Sequence, residues 1–250
     1  MEHIRGLIQR KTITSIKDIH GDIRNADPKK TLLVFDIDNT LLRMKSFVGT
    51  DEWVAWQLDM LRTDPNNKFI VARNEFHLYD MWEQWLTHGT YETEVLENHT
   101  KVLLEEYIET GYKIILLTAR GKQLSKITIE CLKEHFDIGN LFRSDLMFSN
   151  NRHLYTNGIY FTTGDDKGKC LGALLQFLEF QARFVPEKIF FIDDNERNVD
   201  HVECYFKENP ISAKVYLYLY RFCQKFHDEF HTRDKDELHR RWMNFTERLI

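Results

Sequence analysis

Three short apolar runs punctuate the chain, and each passes directly into polar residues of a particular kind. Thr31-Leu-Leu-Val-Phe35 leads to Asp36, Lys113-Ile-Ile-Leu-Leu117 leads to Thr118, and Lys188-Ile-Phe-Phe-Ile192 leads to Asp193. Unbroken apolar runs of this length, bounded by turn-forming residues, predict strands buried on both faces of a parallel sheet. A further strand is expected near Lys214–Leu219. Leu154 to Phe161 carries Asn157-Gly158 between β-favouring residues, which predicts a tight hairpin near 152–163. The stretches between these runs change to helical spacing. Ile13, Ile16, Ile19 and Ile23 recur three or four apart behind a Ser15/Asp18 capping box, which predicts a short N-terminal helix. From Met44 to Thr110 the pattern is helical and shows no strand run: Trp53, Trp56 and Met60 share one face, Tyr79, Trp82 and Leu86 another, and Asp64-Pro-Asn-Asn67 breaks between them. A helix over Glu94–Thr110 closes at Gly111 as its left-handed cap. Further helices are expected over Gln123–His135, Lys169–Ala182 and Val199–Glu208, with a charged helical tail from Tyr220 to Ile250.

Strands alternating with helices imply an α/β fold: a Rossmann-like, doubly wound parallel sheet with a helical cap insertion and a small β-hairpin. The expected division is a core of residues 1–43 and 106–250, with the insertion at 44–105. A ligand of such a sheet sits outside the carboxyl ends of its strands, where Asp36, Thr118 and Asp193 are placed.

Composition narrows the setting. With 250 residues, 42% hydrophobic and 29% charged, the chain can bury a core without disulfide or metal support. A net charge of −5 argues against nucleic acid as a general partner. No run of 18 apolar residues occurs, so no membrane span is expected, and the charged N-terminal sequence lacks the apolar stretch of a secretion signal. Cys131, Cys170, Cys204 and Cys223 form no CxxC pair and are read as buried thiols of a reducing compartment. The expectation is a protein that acts in a cytosol, its own or that of a host. The eleven histidines form no HxH or HExxH group, and none is assigned to metal.

The strand ends carry the chemistry. Asp36, Asp38, Asp193 and Asp194 bring four carboxylates to one sheet edge. Each pair near contact costs about 4 kcal/mol at an effective dielectric of 20. A divalent cation relieves this, and all-oxygen ligands favour magnesium over zinc. Lys167, in Gly164-Asp-Asp-Lys-Gly168 just before a helix, can neutralise a phosphate or a carboxylate, and Thr118 can hold phosphate oxygens. These parts suit in-line phosphoryl transfer to a carboxylate nucleophile, with Asp38 as the acid and base.

Asp36-Ile-Asp38-Asn-Thr40, Thr118, Lys167 and Asp193-Asp194 stand in the order and spacing of the four motifs of the haloacid dehalogenase (HAD) superfamily, which the chain resembles from about Leu32 to Leu219. Val48-Gly-Thr-Asp-Glu-Trp53 and Asn157-Gly-Ile159 resemble more narrowly a bacterial branch of uncharacterised function. The resemblance implies Asp36 as nucleophile and metal ligand. It implies Asp38 as acid and base with its carbonyl on the metal, Thr118 and Lys167 on phosphate and nucleophile, and Asp193 with Asp194 completing a magnesium site. Dehalogenase members lack an aspartate at the Asp38 position, so the implied activity is a phosphatase acting on a small phosphorylated substrate. A phosphotransferase and a catalytically silent binding or effector module are the other readings.

Several positions carry two readings. Lys169 rivals Lys167, and Arg120 is either functional or a solvated surface residue. Asn195 either orients a metal ligand or caps the next helix. Gly49-Thr50-Asp51 reaches the pocket mouth or forms an N-cap. The tryptophans Trp53, Trp56, Trp82 and Trp85 form the insertion's own core or touch substrate. Phe222, Phe226 and Phe230, with Leu238, Trp242, Phe245 and Leu249, form a tail stripe that packs on the core or offers a helix to a protein partner.

Overall fold

The computed structural model describes residues 7–89 and 91–248; Leu249 of the tail stripe lies outside them. In chain order the elements are β1 (Ile8–Ile13), α1 (His20–Arg24), β2 (Thr31–Phe35), β3 (Leu42–Met44), α2 (Asp51–Thr63), α3 (Glu75–His88), β4 (Thr93–Val95), α4 (Thr100–Thr110) and β5 (Lys113–Thr118). They continue with α5 (Ser125–Lys133), β6 (Phe148–Ser149), β7 (Leu154–Thr156), β8 (Ile159–Phe161), α6 (Lys167–Ala182), β9 (Lys188–Asp193), α7 (Glu196–Glu208), β10 (Lys214–Tyr220), α8 (Gln224–Thr232) and α9 (Lys235–Thr246).

Eight strands form one sheet in the order β1-β10-β9-β2-β5-β8-β7-β6. The six from β1 to β8 pair in parallel, and β7 and β6 add an antiparallel edge. All five residues of β2 are buried, as a strand covered on both faces requires. One face packs Leu171, Leu174 and Leu178 of α6 and Val199 and Val202 of α7 against Leu32, Val34, Ile115 and Phe191. On the other face, Tyr112 donates to the carbonyls of Ile23 and Ala26 at 2.6 and 3.1 Å, and Tyr218 donates to Asp22 at 2.9 Å. Helices thus cover both sides, and the α/β fold expected from the strand and helix alternation is the one observed.

The hairpin follows its sequence signal. Asn157 and Gly158 both take positive φ, 51° and 73°, as a two-residue turn of primed type requires. Gly111 caps α4 with φ of 100°. The N-terminal reading needs correction. Ile8–Ile13 is a strand, and the isoleucine spacing describes only a 3-10 turn over Ile16–Ile19 and the five-residue α1, although the Ser15/Asp18 capping box is formed. Gln9, Arg10, Lys11 and Thr12 are exposed, so the edge strand shows no apolar run; Arg10 and Lys11 give it the charge that blunts an open edge. The 44–110 segment also contains a strand, β4, which with β3 forms a separate two-stranded sheet. Three residues are too few to show a period of two.

The chain divides into two compact units, one of residues 1–42 and 95–223 and the other of residues 43–94 and 224–250. The expected boundaries differ at two places. Helix α4 belongs with the sheet, and the tail helices belong with the inserted segment. Aromatic packing accounts for the second difference. Trp53 stacks on Trp242 with centroids 4.2 Å apart, and Trp85 meets Phe245 edge-on at 4.9 Å. Phe230 lies against Phe47 and Trp56. The insertion's tryptophans therefore build a core, and the tail supplies its other half. Thr50 caps α2 through the amide of Trp53.

Among the described residues, no helix is long and apolar enough to cross a membrane. The cysteines are thiols. Cys170 and Cys223 are buried, whereas Cys131 is half-buried and Cys204 exposed, so burial holds for only two of the four.

Candidate functional site

The chain order of the sheet reverses at β2: β5 and β8 follow on one side, β9, β10 and β1 lie on the other. Phe35 is in register with Leu116 of β5 and Ile192 of β9. The next residue on the flanking strand is Asp193, so Asp36 and Asp193 leave the sheet side by side at its switch point. The Asp36 amide still donates to the Ile192 carbonyl at 2.9 Å. Beyond it the chain turns sharply at Asn39, whose φ is 55° and whose amide returns to the Leu42 carbonyl. This turn sets Asp38 beside Asp36.

Lys167 is the first residue of α6, whose cap is Asp166 accepting from the amides of Gly168 and Lys169. Its side chain is 1% exposed. Its ammonium reaches Asp36 Oδ1 at 2.5 Å and Asp193 Oδ2 at 2.7 Å. The approach of α6 depends on Gly168, where a Cβ would lie 2.1 Å from the His201 carbonyl oxygen of α7. Lys169 is exposed, so the structure brings Lys167 and not Lys169 to the carboxylates.

Asp193 is fully buried. Besides Lys167 it accepts from the Asn195 amide at 2.9 Å and from Asn198 Nδ2 at 3.0 and 3.2 Å. The Asn195 side chain caps α7 through the Arg197 amide, and its contact to Asp193 is made by the backbone alone. Asn198 was not foreseen. Its signal is its place in the first turn of the helix that follows Asp193, where an amide can fold back on the strand end.

Arg120 is 5% exposed and is not a surface residue. Its Nε and terminal nitrogen donate to the two oxygens of Asp38 at 2.9 and 2.7 Å, and its other nitrogen donates to Thr128 at 3.0 Å. Planar two-point pairing of this kind fixes orientation as well as charge. Thr118 is fully buried; its hydroxyl accepts from the Arg120 amide at 3.1 Å, and its carbonyl accepts from Thr162.

Burial pushes the Asp36 carboxyl well above the usual carboxylate range. Lys167 opposes this, while Asp193 and Asp38 add to it. Burial works in the opposite direction on Lys167, but Asp193 and Asp36 outweigh it and raise its ammonium above the ordinary lysine value. Asp36, Asp193 and Asp194 each offer a carboxylate oxygen, all within 4.8 Å of one another. Against Asp36, Asp38, Asp193 and Asp194 stand the cations Lys167 and Arg120, a formal sum of −2. An all-oxygen donor set fits a magnesium ion better than zinc. Asp36, Asp193 and Asp194 would hold it.

The family described as protein of unknown function (DUF2608) matches residues 12–247. The chain belongs to this family. No curated protein matches this DUF2608 member. Among solved structures, the HAD domain of the effector protein Lem4 from Legionella pneumophila is similar at 13% identity. The match covers 81% of this chain and 92% of that one, with a TM-score of 0.39. An inactive mutant of the same domain gives 14% identity, 80% and 92% coverage, and a TM-score of 0.41. The fold of this DUF2608 chain rests on its own strand order.

Proposed function

We propose that the chain is a magnesium-dependent phosphohydrolase that works through an aspartyl-phosphate on Asp36 and takes a small phosphorylated substrate. The observation that carries this reading is the Lys167 ammonium bridging Asp36 and Asp193. Three residues from three separate elements converge at the switch point of a parallel sheet, each more than nine-tenths buried. Buried charges at this density are costly for stability alone, and they suit a site that must manage the charge of a transferring phosphoryl group.

In the first step the Asp36 carboxylate attacks phosphorus, and the bond to the leaving oxygen breaks. That oxygen takes a proton from Asp38. In the second step water attacks the aspartyl-phosphate, Asp38 takes the water's proton, and the acyl–phosphate bond breaks to return Asp36 and release phosphate. Both Asp38 oxygens accept from Arg120, so a proton carried by Asp38 displaces one of those bonds. Arg120 thus holds Asp38 in the acceptor geometry of the second step. Thr118 stands beside the transferring group, and Lys167 offsets its charge. A bound magnesium ion would supply Lewis-acid polarisation of the phosphate and draw Asp36 back toward its ionised form.

The test is release of nitrophenol from para-nitrophenyl phosphate with and without magnesium, wild type beside Asp36→Asn. Magnesium-dependent turnover that Asp36→Asn abolishes is the expected result. A folded wild type no faster than the variant overturns the reading. Adding alcohols as acceptors separates a phosphotransferase from a hydrolase.

A further inference from the structure

The second compact unit contains a cavity of about 480 Å³, a size that suits a small molecule. Its polar wall can donate hydrogen bonds from Ser46 after β3, His88 at the end of α3, and Arg241, Asn244 and Arg248 along one side of α9 and just beyond it. Residues 241, 244, 245 and 248 fall on a single helical face, so one short stretch of sequence sends two guanidinium groups the same way. The apolar wall is Trp85 and Phe245, whose rings already meet edge-on. Among the described residues, no acidic one lines the cavity.

Cations are favoured at helix C-termini by the macrodipole. That preference does not gather two arginines and a histidine from two segments around one cavity beside aromatic rings. Arg241 is paired with Glu237 at 2.7 Å, but both side chains are about half exposed, so this pair is weak and readily exchanged. Among the described residues, His88 and Arg248 have no side-chain partner. The buried indole N–H of Trp85 also has no acceptor. The lining therefore has two guanidinium groups and an unpartnered indole N–H, with no carboxylate among the described lining residues to offset them.

We propose that this cavity binds a small molecule bearing an oxyanion. The oxyanion is held by Arg241, Arg248 and His88, and the apolar body of the ligand lies on Trp85 and Phe245. The inference rests on the second unit alone and does not depend on the chemistry assigned to Asp36.

Phenylphosphonate and phenylacetate are the probes, titrated in parallel into the full chain carrying Asp36→Asn without magnesium. The five tryptophans, at positions 53, 56, 82, 85 and 242, all lie in the second unit, so intrinsic fluorescence reports on it, and calorimetry gives the affinity. The expected result is saturable binding of at least one probe in the micromolar to low-millimolar range. The double variant Arg241→Gln/Arg248→Gln should weaken it about tenfold or more, with an unchanged circular dichroism spectrum, and Arg248→Lys should keep part of the affinity. Preference for the phosphonate points to phosphate esters and preference for the acetate to carboxylates. Absence of saturable binding, or equal affinity in the double variant, overturns the proposal.

Discussion

Lys167→Met removes the bridging ammonium while keeping the length of the side chain. Asp36 then loses its one side-chain hydrogen bond among the described residues, whereas Asp193 keeps the Asn195 amide and the Asn198 side chain. Breaking a buried ion pair by removing one partner costs about 3–5 kcal/mol, and the bonds left to Asp193 put this case at the lower end, about 3 kcal/mol. A chain of this size loses about 2–4 °C of Tm per kcal/mol, so the variant should melt about 6–12 °C below wild type at pH 8. The sign of the pH dependence follows from Asp36. Burial already holds its folded-state pKa above the unfolded value, and Lys167 is the group opposing that shift. Without Lys167 the folded state takes up a proton at Asp36 more readily than the unfolded chain. Stability is then regained as pH falls through the folded pKa and lost as pH rises through it. The deficit against wild type should therefore shrink at pH 5. Far-UV circular dichroism melts of both proteins at pH 8 and pH 5, without divalent cations, make the measurement. Equal Tm at pH 8, or a deficit indifferent to pH, would show that Lys167 is not held in a buried ion pair with Asp36 and Asp193.

Arg120→Met takes both donors from Asp38 and should lower turnover of para-nitrophenyl phosphate about 10²-fold through misplacement of that carboxylate. Arg120→Lys should restore little of it, because an ammonium cannot make the two-point contact. Unchanged rates would remove Arg120 from the site. Glu97 is buried and accepts from the Ile16 amide at 2.8 Å, the Ser15 hydroxyl at 2.7 Å and Tyr220 at 2.6 Å. Glu97→Ala strands those donors and should cost about 2–3 kcal/mol in urea denaturation; a loss under half a kcal/mol contradicts the network. Gly168→Ala drives a methyl into the His201 carbonyl, while at Gly172 the obstacle is the Tyr205 hydroxyl, the far end of a side chain that can move. Gly168→Ala should destabilise by about 1–3 kcal/mol and Gly172→Ala by less, and the reverse order in thermal melts would refute the close α6–α7 contact.

The sequence determined the central strands, because β2, β5 and β9 are buried on both faces and such strands can only read as continuous apolar runs. It determined the hairpin turn at Asn157-Gly158 and the cap at Gly111, because positive φ is carried by the residue itself. It also placed Asp36, Asp38, Thr118 and Asp193 at one sheet edge, since each follows a strand and parallel strands share a direction. Tertiary structure alone decided the rest. Edge strand β1 is polar along its length, and its pairing with β10 depends on residues some 200 positions away. The tail helices carry an apolar stripe that names no partner; only the fit of Trp242 against Trp53 and of Phe245 against Trp85 assigns them to the inserted segment. The choice between Lys167 and Lys169 was decided by which face of α6 turns inward, and that follows from the contact at Gly168. Arg120 reads in the sequence as any arginine after a strand. Its pairing with Asp38 is visible only where folding closes the planar contact, because a two-point contact is a property of geometry and not of residue type.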